Sequence, residues 1–453
     1  MRRVPGSRVL ALDVGTSSVR AQTFGPDASE NGEPSRRAYA GELDPDRIVE
    51  HVRTALAQAR GDSELDAVGA SCFGHSLLAL DARGRALTPV LGWRDTRSAD
   101  AADWLERRLD RDAVQARTGC YIHTSYWPAK LVWLAQEEPQ VFRSARRFVS
   151  FAEYLYARLL DEDDVPTSLS LASGTGLVDL HARSWDDELL TLVGVEEERL
   201  PRISDEPLER WFPAWLDGAC SNVGAGCVSR ERAVLMVGTS GAFRTVYETE
   251  APRPRKGLFL YRVDERRVVD GGALSDGGNL YRWLEETLRR DDWTLGERDP
   301  DSHGLTFLAL LGGERSPGWH QHARGAVHGL TFETTPRDIR QAALEGVAFC
   351  FAEVADLMPE VEEVVATGGA LQKDADWCQV MADGLARPIA LSVVREASLR
   401  GAAVLALERL GERPPAPSPG RRFEPREDHA AAYREARERT RALYRAATGA
   451  DTS

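Results

Sequence analysis

Leu10-Ala11-Leu12-Asp13-Val14-Gly15-Thr16-Ser17-Ser18-Val19-Arg20 is an apolar strand that runs into an acidic residue and a Gly-Thr-Ser-Ser turn. A second strand, Val19 to Phe24, leaves the turn with mixed polar and apolar positions. A P-loop would need a glycine-rich loop with a lysine at the start of a helix. Here there is no lysine, and the residues after the turn read as strand, so the stretch is a hairpin tip. Small hydroxyl residues and free backbone N–H groups at such a tip can hold phosphate oxygens. Asp13 stands where a carboxylate can hold a cation beside them. An ordinary polar hairpin would read the same way from this stretch alone.

The tip occurs twice. Ala233-Val234-Leu235-Met236-Val237-Gly238-Thr239-Ser240-Gly241-Ala242-Phe243-Arg244 repeats Val-Gly-Thr-Ser, again with an arginine a few residues on. Asp13 precedes the shared residues in the first copy and Met236 in the second. The copies open the two halves of the chain, which points to duplication. Two phosphate-holding hairpins from related domains, facing across a cleft, describe a nucleotide-dependent phosphotransferase.

At 453 residues the chain has room for two or three domains, and 42% hydrophobic residues suffice for sizeable cores. A net charge of -14 argues against a broad nucleic-acid surface. Anionic substrates must therefore meet local positive groups. Lysine occurs only at 130, 256 and 373. Cysteines 72, 120, 220, 227, 350 and 378 form no Cys-x-x-Cys and no zinc spacing, so they read as reduced thiols of a cytoplasmic protein. No apolar run reaches the ~18 residues of a membrane span.

Asp44-Pro45 reads as the N-cap and first position of a helix. Val68–Phe73 reads as a strand followed by Gly74-His75, and a hairpin over 77–91 leads to Gly92-Trp93-Arg94-Asp95-Thr96-Arg97. Residues 98–160 read as mainly helical. Ser229-Arg230-Glu231-Arg232 precedes the second tip, which sets the domains at 1–230 and 231–453. Thr335-Pro336-Arg337-Asp338 has a capping-box pattern opening a long helix. Val364–Thr367 reads as a buried strand, and Gly368-Gly369-Ala370 starts a helix. Residues 412–420 are proline-rich, and Ala430 to Ala447 reads as an arginine-rich surface helix.

Several of these segments together resemble the FGGY carbohydrate kinases, within the actin/hexokinase/Hsp70-like ATPase fold, over roughly residues 9 to 445. The resemblance rests on both hairpin tips, Trp93-x-Asp95-x-Arg97, the Asp217 segment, Gly-Glu-Arg-x-Pro at 313–317, Glu345-Gly346-Val347 and Gly368-Gly369-Ala370, in family order. It implies an α/β protein of two related actin-like ATPase (ribonuclease H-like) domains around a central cleft. Gly-Ala-Cys-Ser-Asn-Val-Gly-Ala-Gly (218–226) and Asp-Gly-Gly-Ala-Leu-Ser-Asp-Gly-Gly (270–278) look closest to gluconate kinases.

The implied chemistry is attack of a sugar hydroxyl on the γ-phosphorus of ATP, with a carboxylate taking the hydroxyl proton. Asp217 matches the family's catalytic aspartate, although Trp215-Leu216 stands before it where the family commonly has glycines. Asp13 is expected to hold Mg²⁺. Gly15, Thr16 and Ser17 would face the phosphates from one side and Gly238, Thr239 and Ser240 from the other. Gly313, Gly369, Ala370 and Lys373 would line the adenosine pocket. Gly74, His75, Trp93 and Asp95, with Asp217, would bind the sugar: Trp93 as a wall, His75 and Asp95 as hydrogen-bonding groups. An anionic sugar acid would want an arginine, for which Arg94 and Arg97 are the candidates. Gluconate is the first acceptor expected, a ketopentose such as xylulose the second, and a non-catalytic nucleotide- and sugar-binding member is the alternative from another class. The partners expected are ATP and a small sugar or sugar acid, with no nucleic acid, no membrane, and a homodimer left open.

Overall fold

A computed structural model of the chain describes residues 6–60, 64–288, 295 and 298–449. The first sheet grows from β1 (Val9–Val14), every residue of which is buried. β2 (Ser18–Phe24) returns antiparallel to it with Val14 opposite Val19, and β3 (Glu30–Ala38) pairs antiparallel with β2. The expected helix α1 (Pro45–Arg60) follows, the Asp44 carboxylate accepting from the backbone N–H of Asp46 and Arg47. β4 (Ala67–Cys72) lies parallel to β1, and the short β5 (Trp215–Leu216) parallel to β4. The sheet order is β3-β2-β1-β4-β5. Helix α2 (Asp217–Gly224) leaves directly from β5.

The second sheet repeats this wiring. β6 (Arg232–Val237) and β7 (Gly241–Glu248) form the second hairpin. β8 (Phe259–Arg262) and β9 (Arg267–Leu274) extend it, β9 pairing with β7 as β3 does with β2. After α3 (Gly278–Thr287) and α4 (Pro336–Asp356), β10 (Glu363–Thr367) lies parallel to β6, as β4 does to β1. Helix α5 (Gly369–Lys373), a further helix over Ala375–Leu385, and then β11 (Ile389–Leu391), α6 (Ala397–Arg409), β12 (Arg422–Phe423) and α7 (Glu427–Thr448) complete the described chain. The order is β8-β9-β7-β6-β10-β11-β12. The four shared residues thus mark equivalent tips in two sheets of matching topology.

Helix α6 joins the two halves. It comes after the second sheet in sequence, yet its Leu399, Ala402, Ala403 and Ala406 pack into the core of the first. Small residues permit this. A Cβ on Gly401 would lie 1.8 Å from the Cys220 carbonyl oxygen, and one on Gly224 1.8 Å from that of Ala397. On the other face, a Cβ on Gly69 of β4 would lie 2.6 Å from the Ala402 carbonyl oxygen. Backbones therefore touch where α2 crosses α6.

Residues 73–214 add a largely helical body with its own core around Trp127, Leu131, Leu134 and Leu189. Helix α7 is the arginine-rich surface helix expected from its composition, docked by one face. Ala430, Tyr433 and Ala436 are buried, the Tyr433 hydroxyl donates to Glu345, and Arg437 and Arg441 pair with Glu353 and Asp356 of α4. Its arginines are spent on an acidic helix face distant in sequence, which a local hydropathy pattern does not reveal. Among the described residues no helix is long and apolar enough to cross a membrane.

Candidate active site

Asp217 stands at the first position of α2, where β5 ends, so its carboxylate is delivered to the mouth between the sheets. One oxygen accepts from the Gly218 N–H at 2.8 Å. Burial raises its pKa above the ordinary carboxylate value; the Arg244 charge opposes this and the Asp13 charge adds to it. Asp13, near the end of β1, is also raised, by burial first, against the pull of Arg20. Its Oδ1 accepts from Ser71 at 3.0 Å and its Oδ2 from Arg20 Nη1 at 2.9 Å. Arg20 also pairs with Glu396, at the start of α6, at 2.8 Å. Two carboxylates with raised pKa values that feel one another's charge suit a site where a cation is to be shared.

At the first tip the Gly15 and Ser17 carbonyls are occupied, by the Tyr39 hydroxyl and the Tyr39 N–H. Thr16 and Ser17 are exposed, and no described residue accepts from their backbone N–H groups. The second tip is braced from behind: Gly278 N–H donates to the Gly238 carbonyl and Asn279 N–H to that of Thr239, both at 2.9 Å. Thr239 and Ser240 likewise keep their N–H groups free of described partners. Close packing here needs bare backbone, since a Cβ on Gly278 would lie 2.3 Å from the Gly238 oxygen and one on Gly368 2.3 Å from that of Val237. Both tips thus present unpaired donors, the requirement for an anion nest.

Asp217, Gly74, His75, Trp93 and Ser240 line one cavity of about 610 Å³, counting its open mouth. Leu216 explains the departure before Asp217: its side chain fills the space left by Gly74 and Gly174, where a Cβ would come within 2.5 and 3.0 Å of it. His75 has a left-handed backbone (φ 64°), its carbonyl tied to Lys130 Nζ at 2.6 Å. Its Nδ1 lies 2.5 Å from the Gly174 carbonyl, which can only accept. The proton is therefore on Nδ1 and Nε2 is left as an acceptor. Burial pushes the His75 pKa down to about 3, so the ring is neutral.

Other expected residues lie outside this cavity. Asp95 is half-buried, its carboxylate engaged by Arg97. Arg97 also stacks on Trp133, and Arg94 lies beside Trp93. Gly313 lies in a left-handed turn (φ 77°) beside a second cavity bounded by Phe349 and Tyr444. Gly369 and Lys373 are exposed on α5, and Ala370 faces Gly278 behind the second tip.

Four lining residues escape a sequence reading as site residues: Arg244, Arg315, Phe259 and Tyr261. The Tyr261 hydroxyl bonds that of Tyr126 at 2.6 Å, and the Arg315 guanidinium lies 4.3 Å from the Trp93 ring centroid. Arg244 is the arginine noted after the second tip, and Arg315 the one inside Gly-Glu-Arg-x-Pro.

Models of the FGGY family of carbohydrate kinases match the chain at residues 8–206 (N-terminal domain) and 233–408 (C-terminal domain). The chain belongs to the FGGY carbohydrate kinases. Its fold is the two-domain actin-like ATPase arrangement, and the kinase is a phosphotransferase acting on an alcohol group. It is 26% identical to a gluconokinase of Bacillus subtilis (strain 168), over 90% of this chain and 88% of the relative. A solved xylulose kinase from Lactobacillus acidophilus superposes with a TM-score of 0.85 at 25% identity, covering 98% of this chain and 99% of the other. A gluconate kinase from the same organism gives 0.83 at 25% identity, covering 97% and 98%.

Proposed function

We propose that this kinase transfers the γ-phosphate of ATP to a hydroxyl of a sugar acid, with gluconate the favoured acceptor. The observation that carries the proposal is the placement of Asp217: a carboxylate at a helix N-terminus, lining the same cavity as the neutral His75, the Trp93 wall and Ser240 of the second tip. A hydroxyl oxygen attacks the γ-phosphorus, its proton passes to Asp217, and the bond from that phosphorus to the β-phosphate oxygen breaks, releasing ADP. The raised pKa improves Asp217 as a proton acceptor while its helix N-terminus and Arg244 favour the ionised form. His75 Nε2 accepts from an acceptor hydroxyl, and Trp93 packs on the carbon chain.

Gly15, Thr16 and Ser17 take the triphosphate from one wall; Gly238, Thr239 and Ser240 take it from the other. The unpaired N–H groups at both tips support this assignment. Asp13 fits a Mg²⁺ ion, since Mg²⁺ is commonly held by one or two carboxylates plus phosphate oxygens and water. When bound, that ion neutralises charge on the transferring phosphoryl group. Gly313, Gly369, Ala370 and Lys373 receive the adenosine, so residues 1–230 carry the metal, the catalytic carboxylate and the His75 and Trp93 contacts to the acceptor, while 231–453 carry the nucleoside and close the acceptor cavity from the other side. The kinase acts in the cytoplasm, where ATP is supplied.

A ketopentose acceptor is the second reading, favoured by the structural likeness to a xylulose kinase. An ADP-release assay over gluconate, other aldonates, xylulose and glycerol tests both. Gluconate should give the highest kcat/KM. If xylulose does, the acceptor assignment falls; if no acceptor raises ADP release while ATP still binds, the non-catalytic alternative replaces the kinase reading.

A further inference from the structure

A charged side chain is rarely buried without a partner, because removing it from water is costly. The acceptor cavity breaks this rule twice. Arg244 and Arg315 are only 7% and 8% exposed, and neither forms an ion pair with a described residue. Arg244 leaves Nε and Nη2 without a hydrogen-bond partner, and Arg315 leaves Nε. Arg315 is held by a hydrogen bond from Nη2 to the Leu274 carbonyl at 2.5 Å and by its stacking on Trp93. Arg244 is pressed against the backbone of Gly218, where a Cβ would stand 2.5 Å from Nη1. Both side chains are thus fixed in place with unused donors at one cavity.

The charges at the cavity do not balance. Two guanidinium groups face one carboxylate, Asp217, and His75 is neutral. A neutral polyol would leave one buried positive charge uncompensated. A substrate carrying a single carboxylate would compensate it and supply acceptors for the idle N–H groups, the geometry in which arginine binds carboxylate best. Burial, which lowers the Arg315 pKa to about 10, leaves that side chain charged at neutral pH.

We propose that Arg244 and Arg315 form the subsite that reads the carboxylate of an aldonate acceptor. This deepens the kinase reading and rests on it. It also replaces Arg94 and Arg97 in that role, since neither lines the cavity. The γ-phosphate of ATP is the other anion that could meet these arginines, and the test separates the two.

The wild-type kinase is assayed with D-gluconate, with D-glucitol (the same chain with CH₂OH for the carboxylate) and with D-xylulose, alongside Arg244→Gln and Arg315→Lys. Hydrogen bonds to charged groups are worth ~1.5–3 kcal/mol, so kcat/KM should favour gluconate over glucitol by about 10–150-fold in the wild type. Arg244→Gln should remove most of that preference by lowering the gluconate value well beyond any fall in the glucitol value, with the KM for ATP little changed. Arg315→Lys keeps the charge and should lose part of it. The wild-type ratio needs no variant to fold, so it tests the proposal alone. A ratio near one, or turnover of neutral sugars only, overturns the carboxylate subsite and leaves the kinase reading standing. A raised KM for ATP with an unchanged ratio assigns Arg244 to the γ-phosphate and also overturns it. No turnover with any acceptor overturns the kinase reading instead; calorimetry with D-gluconate then decides the subsite by itself, binding lost in Arg244→Gln supporting it and unchanged binding refuting it.

Discussion

Replacing Gly401 by alanine tests whether the crossing of α2 and α6 positions the catalytic carboxylate. The added Cβ would stand 1.8 Å from the Cys220 carbonyl oxygen, and contacts under 3.0 Å essentially do not occur. The two helices must therefore part by at least about 1.2 Å, or α2 must tilt. Overpacking of this kind costs about 1–3 kcal/mol. In a domain near 200 residues that lowers Tm by roughly 2–4 °C for each kcal/mol. Cys220 lies one turn from Asp217 on α2, so the shift is passed to the carboxylate. A misplacement of ~1 Å can cost about 10²-fold in rate. The variant should therefore melt several degrees lower and lose about 10–100-fold in kcat, read by coupled ADP release with gluconate, although residue 401 touches no substrate. Gly224→Ala, which meets the Ala397 oxygen at the same 1.8 Å, should behave alike. An unchanged Tm would refute the packing argument. A lowered Tm with an unchanged kcat would refute the coupling to Asp217.

The two carboxylates give further outcomes. Asp13→Asn should raise the Mg²⁺ concentration needed for half-maximal rate at least tenfold, measured by Mg²⁺ titration at fixed ATP; an unchanged requirement removes Asp13 from the metal site. A base must be ionised, so kcat/KM should fall as pH drops through the raised Asp217 pKa, placing the acid limb above the ordinary 3.8. Asp13→Asn removes a like charge and should move that limb to lower pH, and a limb that stays put would show that Asp217 is not the titrating group.

The parts of the fold legible in the sequence are those written locally. The hairpin tips combine an apolar strand, a Gly-Thr-Ser turn and a returning strand within about fifteen residues, and their repetition exposes the duplicated wiring. The caps at Asp44 and Thr335 are equally local, a carboxylate or hydroxyl placed to meet the first free N–H groups. The features that escape depend on distant partners. Arg244 reads as a strand residue until Gly218, from the other half, is seen to leave room for its guanidinium. Leu216 reads as a departure until Gly74 and Gly174 are seen to make its socket. Arg97 is a different case: its partner Asp95 is only two residues away, but the side-chain direction that pairs them, and so competes with any ligand, shows only in three dimensions. Helix α7 itself is legible, but its docking is not, because its arginines answer acids on α4, far away in sequence.

Asp217→Asn gives the most direct measurement, with kcat for gluconate phosphorylation and the affinity for ATP determined on the same preparation. Burial penalises the ionised Asp217 in the folded state, so the asparagine variant, which carries no charge there, should melt no lower than the wild type. That melting temperature is its control for folding. A positioned acid or base contributes about 10²–10⁴-fold, so kcat should fall by that factor while ATP binds as before. A folded Asp217→Asn kinase that turns over gluconate at the wild-type rate would contradict the account.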